Sequence, residues 1–153
     1  MRKCVAVIGS SQANEEEYEV AYQVGRHLAK KGVVVVCGGR GGVMEAVCKG
    51  AKEEGGITVG ILTTYTGEDA NPYVDIKVNT GMGWNRNPIV VASGEFVVAI
   101  GGHWGTLSEI AYALILGKKV IGYKTHPIEG VKQVHSLQAL LDEIDLPLKK
   151  CKI

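Results

Sequence analysis

The chain of 153 residues has a formal net charge of +1, with 46% apolar and 22% charged residues. That length suits one domain around a single sizeable core, and the near-neutral balance excludes the broad positive field that nucleic acid or an anionic membrane would need. The five apolar residues before Gly9 are too few for a signal-peptide core, and no run nears the ~20 of a membrane span. The sequence therefore reads as cytoplasmic, without nucleic-acid or membrane partners.

The predicted elements alternate between β-branched runs and helical stretches. Residues 4–9 (CVAVIG) read as a buried strand, 15–32 as an amphipathic helix with Tyr18, Ala21, Tyr22, Leu28 and Ala29 at helical spacing, and 33–37 (VVVVC) as the second strand. A glycine-flanked helix over 41–56 and a strand over 57–62 follow. Residues 63–75 (TTYTGEDANPYVD) are turn-rich and read as a surface loop, before a short strand at 76–78. A helix over 85–94 tolerates Pro88 near its start. Then come a strand at 95–100, a helix at 106–117, a strand at 118–123 and a closing helix at 136–144 capped by Ser136.

Strands that are apolar throughout, each followed by a helix, belong to parallel sheets covered on both faces. The expected fold is α/β: a three-layer α-β-α Rossmann-like domain with a mostly parallel sheet, occupying residues 1–153 as one unit. Cys4, Cys37, Cys48 and Cys151 show no CxxC or other metal-ligand spacing. Cys4 and Cys37 sit in apolar runs and read as buried, inert thiols, and a reducing compartment makes disulfides unexpected. His126 and His135 have no ligand-like partners, so no metal site is expected. The basic tail LKKCKI reads as a frayed terminus.

In an open parallel sheet, ligands bind beyond the carboxyl ends of the strands. Three such ends carry small or glycine-rich loops: Gly9, Ser10 and Ser11; Gly38, Gly39, Arg40, Gly41 and Gly42; and Gly101, Gly102 and Gly105 with Thr106. Glycine lets backbone approach a ligand closely, and a helix start presents free N–H groups and partial positive charge to phosphate. These residues are the candidate phosphate- and ligand-binding set. The first loop lacks GxGxxG, and the second strand ends without an acidic residue for a ribose, which disfavours NAD; no GxxxxGK[ST] is present, which excludes a P-loop.

Glu109 has two readings. Thr106-Leu107-Ser108-Glu109 fits an S/T-x-x-E capping box, and a carboxylate beside a phosphate-sized glycine pocket also suits a ribose hydroxyl or a water. Arg86, in the Gly- and Asn-rich segment entering a helix, is either a solvated surface residue or a phosphate clamp; Arg40 is a second candidate cation. Trp84 and Trp104, the two tryptophans, either stack a ring or fill a subunit interface.

The stretch GGHWGTLSE (101–109) resembles the GGxxGTxxE motif of the LOG-like superfamily, often labelled lysine decarboxylase. GGRGGVMEA (38–46) is similar to its second motif, and GMGWNRN (81–87) stands where the superfamily has M-x-x-R-K. The resemblance covers residues 4 to 123 and implies a Rossmann-like homodimer, or a higher homo-oligomer, with the site near the subunit interface. It also implies one of two activities. One is that of a molybdenum cofactor carrier, which binds a phosphorylated pterin without chemistry. The other is that of a phosphoribohydrolase that cleaves the base from a nucleoside 5′-monophosphate, using Arg86 and Glu109 as its catalytic pair. No resident cofactor is implied; a phosphate, a nucleoside monophosphate or molybdenum cofactor as cargo is. Asn87 replaces the lysine of the hydrolases, which favours the carrier-like branch. Pyridoxal phosphate chemistry needs a Schiff-base lysine, and none lies in the three motif loops.

Overall fold

The computed structural model describes residues 2–150. The last three residues of the basic tail, Cys151 among them, lie outside that range. The elements are β1 (Cys4–Gly9), α1 (Glu15–Lys30), β2 (Val34–Cys37), α2 (Val43–Glu53), β3 (Thr58–Leu62) and β4 (Ile76–Asn79). A 3-10 turn, Gly83–Arg86, then leads into α3 (Asn87–Ala92), β5 (Val97–Ile100), α4 (Trp104–Ile115), β6 (Val120–Tyr123), β7 (Val131–Val134) and α5 (Leu137–Lys150). All seven strands form one sheet in the order β4-β3-β2-β1-β5-β6-β7, and every neighbouring pair is parallel.

Alternate residues of the central strands feed opposite faces, as the two-residue period of a strand requires. Val5, Val7, Val35, Val98 and Ile100 pack against α1, α2 and α5, while Ala6, Ile8, Val36, Val97 and Ala99 pack against α3 and α4. Both faces are thus covered, and each fully buried Val, Ile or Leu contributes about 1.5–3 kcal/mol. This is the three-layer Rossmann-like arrangement read from the sequence.

Three local features depart from the expected elements. β7 (VKQV) is half polar and sits at the sheet edge, so it carries none of the apolar signal that marks the central strands. α5 runs on past residue 144 with Pro147 inside it; the missing proline N–H deprives only one carbonyl of its helical partner near the C-terminus. Ser136 does cap this helix, its hydroxyl accepting from the Ala139 N–H at 3.1 Å. α4 begins at Trp104, two residues before the expected start.

α1 and α2 lie side by side with glycines where they cross. A methyl group built on Gly25 would run into the Val47 carbonyl, and one on Gly50 into the Tyr22 carbonyl. The two backbones therefore touch with no side chain between them. α1 starts with a full capping box: Asn14 Oδ1 accepts from the Glu17 N–H at 2.8 Å, and Glu17 Oε1 accepts from the Asn14 N–H at 3.1 Å. Cys37 and Cys48 are fully buried free thiols with sulfurs 3.6 Å apart, and Cys4 is half-buried.

Candidate functional site

The chain winds from β1 outward to β4, then returns to the other side of β1 to lay down β5, β6 and β7. The direction of winding reverses between β1 and β5, whose ends lie in register at Gly9 and Ile100. A crevice opens at such a reversal, beyond the carboxyl ends of the strands. Here it holds a cavity of about 520 Å³.

Many of the residues singled out in the sequence meet there. Gly9 ends β1, Ser10 and Ser11 follow it in the loop, Gly38 and Arg40 come from the loop after β2, and Trp84 and Arg86 from the turn before α3. α4 adds Trp104, Gly105, Thr106 and Glu109. Gly39, Gly41, Gly42, Gly101 and Gly102 do not line the cavity. Gly39 packs against Leu62, Gly41 and Gly42 against the Ser10–Ser11 backbone and Gly101 against Glu17, and at φ +105° a side chain on Gly102 would strike Thr106. The wall also includes Gln12, Met44, Thr63 and Asn87, which sequence reasoning did not select as site residues. Asn87 alone carried a signal, as the position where the superfamily motif has lysine.

The start of α4 is open. His103 caps it without any side-chain hydrogen bond, and among the described residues the N–H groups of Trp104, Gly105 and Thr106 find no acceptor. Three unpaired N–H groups at a helix N-terminus, with the partial positive charge there, make an anion seat. α2 is less open at its first turn, because the Val43 N–H already donates to the Ser10 carbonyl at 2.8 Å. The Gly102 N–H is also taken, by Ser10 Oγ at 2.8 Å.

Arg86 is a buried cation, only 7% exposed. Its Nε–H donates to the Ile61 carbonyl at 2.8 Å, Nη2 reaches the Gly38 carbonyl at 3.4 Å, and Nη1 donates to Asn87 Oδ1. Asn87 Nδ2 donates to Ser108 Oγ at 3.1 Å, and that hydroxyl donates to the Gly105 carbonyl at 2.7 Å. A chain of hydrogen bonds therefore ties the guanidinium to the first turn of α4. Burial pushes the Arg86 pKa down from its ordinary value, while Glu109 nearby pulls it up. Arg40 is half-exposed and paired with Asp69 at 3.3 Å.

Glu109 does not close a capping box. Because α4 starts at Trp104, Glu109 stands in its second turn, too far along to reach back to the cap. Side chains on a helix lean toward its N-terminus, which aims this carboxyl at the cavity. It is 8% exposed and has no hydrogen-bond partner among the described residues. Burial pushes its pKa up to about 8, with Arg86 acting in the opposite direction. An isolated, buried carboxyl that titrates near neutrality is unusual outside functional sites.

Trp84 and Trp104 stand at the mouth, 75% and 79% exposed. Both also border a shallow groove between α3 and α4 that includes Pro88 and Tyr112. Among the described residues no three His, Cys, Asp or Glu side chains gather as a metal site, and no helix is long and apolar enough to cross a membrane.

The SLOG cluster4 family matches residues 2–146. The chain belongs to this family. As a SLOG protein it falls within the LOG-like superfamily indicated by its motifs. A protein from Archaeoglobus fulgidus described as uncharacterized is 46% identical over 129 residues, covering 84% of this chain and 85% of the relative. The molybdenum cofactor binding protein from Rippkaea orientalis superposes with a TM-score of 0.90 at 33% identity, over 97% of this chain and 98% of that one. The molybdenum cofactor carrier protein from Chlamydomonas reinhardtii gives 0.88 at 28% identity, over 97% and 99%.

Gly105 of this SLOG site has room for a methyl group: the nearest atoms to a built Cβ are a Trp84 ring carbon at 3.8 Å and Asn87 Nδ2 at 4.0 Å. Gly105→Ala is expected to stabilise the free protein by about 0.5 kcal/mol through helix propensity. If Gly105 also borders a bound monophosphate, as proposed below, the added methyl group should weaken that binding by about tenfold, or 1.4 kcal/mol. Thermal denaturation with and without adenosine 5′-monophosphate (AMP) reads both effects.

Proposed function

We propose that the protein binds a phosphorylated, nucleotide-like heterocycle and serves as a carrier of the molybdenum cofactor type. One observation carries this reading: three free N–H groups, a buried arginine and an unpartnered carboxyl open onto one cavity. The phosphate sits on the start of α4, where Arg86 also reaches. The five steps from Trp104 to Glu109 rise about 7.5 Å along the helix, so the carboxyl meets a hydroxyl or N–H donor deeper in the ligand. The heterocycle lies toward the mouth, where Trp84 and Trp104 offer faces for stacking. Likeness to the molybdenum cofactor proteins supports a binding or carrier role, with the cofactor as cargo.

A second copy of the chain completes the mouth in this reading. α4 is apolar around most of its circumference, and Trp104, Tyr112, Ile115 and Leu116 remain exposed. A helix of that kind is normally covered. Analytical ultracentrifugation of the wild type and Ile115→Glu tests it: a homodimer or higher oligomer that dissociates on substitution is expected. The assembly is cytoplasmic and engages neither nucleic acid nor membrane.

One observation favours a second activity, hydrolysis of the N-glycosidic bond of a nucleoside 5′-monophosphate. Glu109 titrates near neutrality, as a general acid–base group should, and a carboxylate close to the sugar stabilises an oxocarbenium-like transition state. Against it stands Asn87, a neutral residue where the hydrolases carry lysine. Incubating the protein with AMP and related monophosphates decides. The carrier reading expects ligand retained on the protein and no free base. Base release that disappears in Glu109→Ala establishes the hydrolase instead, and failure of any phosphorylated ligand to raise the melting temperature sinks both.

A further inference from the structure

Ser10 is bonded to the end of β5, the start of α2, the loop that leads into α4, and α1. Its N–H donates to the Ile100 carbonyl at 3.1 Å, and its carbonyl accepts from the Val43 N–H at 2.8 Å. Its hydroxyl accepts from the Gly102 N–H at 2.8 Å and donates to Glu17 Oε2 at 3.0 Å. A hydroxyl has one proton. A carboxylate has none to offer, so the proton must run from Ser10 to Glu17. Ser10 therefore has no hydrogen left for a phosphate, and what it presents to an anion is lone-pair density.

Glu17 is held just as tightly. One carboxylate oxygen closes the capping box at the start of α1, and the other holds Ser10. The carboxylate lies directly against the backbone of Gly101, where a Cβ would collide with Oε2. Gly101 at φ +61° and Gly102 at φ +105° form the turn that launches α4. A continuous path thus runs from α1 through Glu17 and Ser10 to Gly102 and the open end of α4.

We infer that Glu17 and Ser10 are positioning residues: they fix where the free amides of α4 stand without touching the ligand. Glu17 orients the Ser10 hydroxyl, the hydroxyl anchors the Gly102 N–H, and that anchor sets the direction of α4's first turn. The inference rests on the ligand reading above only for its effect on affinity; the bonds themselves are independent of any ligand.

Removing Glu17 also removes half of a helix cap, which alone destabilises α1. Asn14→Ala separates the two effects, since it breaks the capping box and leaves the Glu17–Ser10 bond in place. The full chain is compared as wild type, Asn14→Ala, Glu17→Ala, Glu17→Gln and Ser10→Ala, by amide hydrogen exchange and by calorimetric titration with AMP. Asn14→Ala and Glu17→Ala should lower the melting temperature to similar extents. Only Glu17→Ala and Ser10→Ala should speed exchange at Gly102 and weaken AMP, each by about tenfold, as loss of a charge-assisted hydrogen bond implies. Glu17→Gln should restore both, because its amide oxygen still accepts the Ser10 proton. If Glu17→Ala matches Asn14→Ala in Gly102 exchange, Glu17 is only a cap and the inference is overturned. A wild type that does not bind AMP counts against the ligand reading, while the exchange rates still decide the role of Glu17.

Discussion

Glu109→Gln is expected to make the protein more stable than the wild type at pH 9 and to remove a pH dependence the wild type has. The carboxyl titrates near pH 4.5 in an unfolded chain and at about 8 when buried beside the cavity. The folded state therefore holds the proton more tightly. As pH rises from about 4.5, the unfolded chain gives up its proton first, and stability falls until the folded group also ionises near 8. Below that window the contribution is fully present; above it the contribution is lost. Each pKa unit corresponds to about 1.4 kcal/mol, so the rise from 4.5 to about 8 makes the loss on the order of 5 kcal/mol. Glutamine has the same shape and no charge to bury. Urea denaturation at intervals from pH 5 to 9 should show wild-type stability descending toward the variant's and crossing it; parallel profiles would show that Glu109 does not titrate in this window. Ligand binding should follow the same proton. In the proposed binding mode a charged Glu109 shares the cavity with the ligand's phosphate, and AMP should bind about tenfold more weakly at pH 9 than at pH 6.5. The Gln variant should show no such step.

Arg86→Leu is expected to abolish monophosphate binding, with a loss of at least about a hundredfold, and to cost a few kcal/mol of stability. A guanidinium has five N–H donors. Three are committed to Ile61, Gly38 and Asn87, which leaves two for the cavity. Leucine deletes those two and also strands the Ile61 and Gly38 carbonyls. Arg86→Lys keeps the charge but cannot span two carbonyls and a ligand with one ammonium group. It should recover part of the affinity and little of the stability. An Arg86→Leu protein that binds AMP as the wild type does would remove the arginine from the site. Calorimetry and denaturant melts on the same samples separate the two losses.

The fold was legible because its central strands are almost pure Val, Ile and Ala, and a sheet buried on both faces needs nothing else. The edge strand β7 escaped notice for the same reason: half its residues are polar, so its composition resembles a loop. The family was legible in GGRGGVMEA and GGHWGTLSE, and the SLOG match over residues 2–146 bears that out. The burial of Arg86 was not legible. Two of its acceptors are main-chain carbonyls 25 and 48 residues upstream, and a backbone acceptor leaves no trace in the sequence. The glycines also could not be sorted by eye. Gly105 faces the cavity and Gly102 does not, yet three positions separate them. Of the two readings of Glu109 the cap fails, because T-x-x-E imitates a capping box that the earlier start of α4 leaves unclosed. The glycine pair at 101 and 102 lets the helix start early, and that shift carries the carboxyl from the cap to the cavity.

The crossing of α1 and α2 has a mechanical consequence. With Gly25 and Gly50 in place, backbone rests on backbone, and neither helix has slack to roll. α1 carries Glu17 at its leading end, and α2 begins where the loop holding Arg40 ends. The gap between these two ends is thus gauged by two hydrogen atoms about two helical turns away. A methyl group at position 25 or 50 should act as a wedge. Far from any ligand atom, it would splay the ends apart and be scored in a binding screen as though it lay in the site.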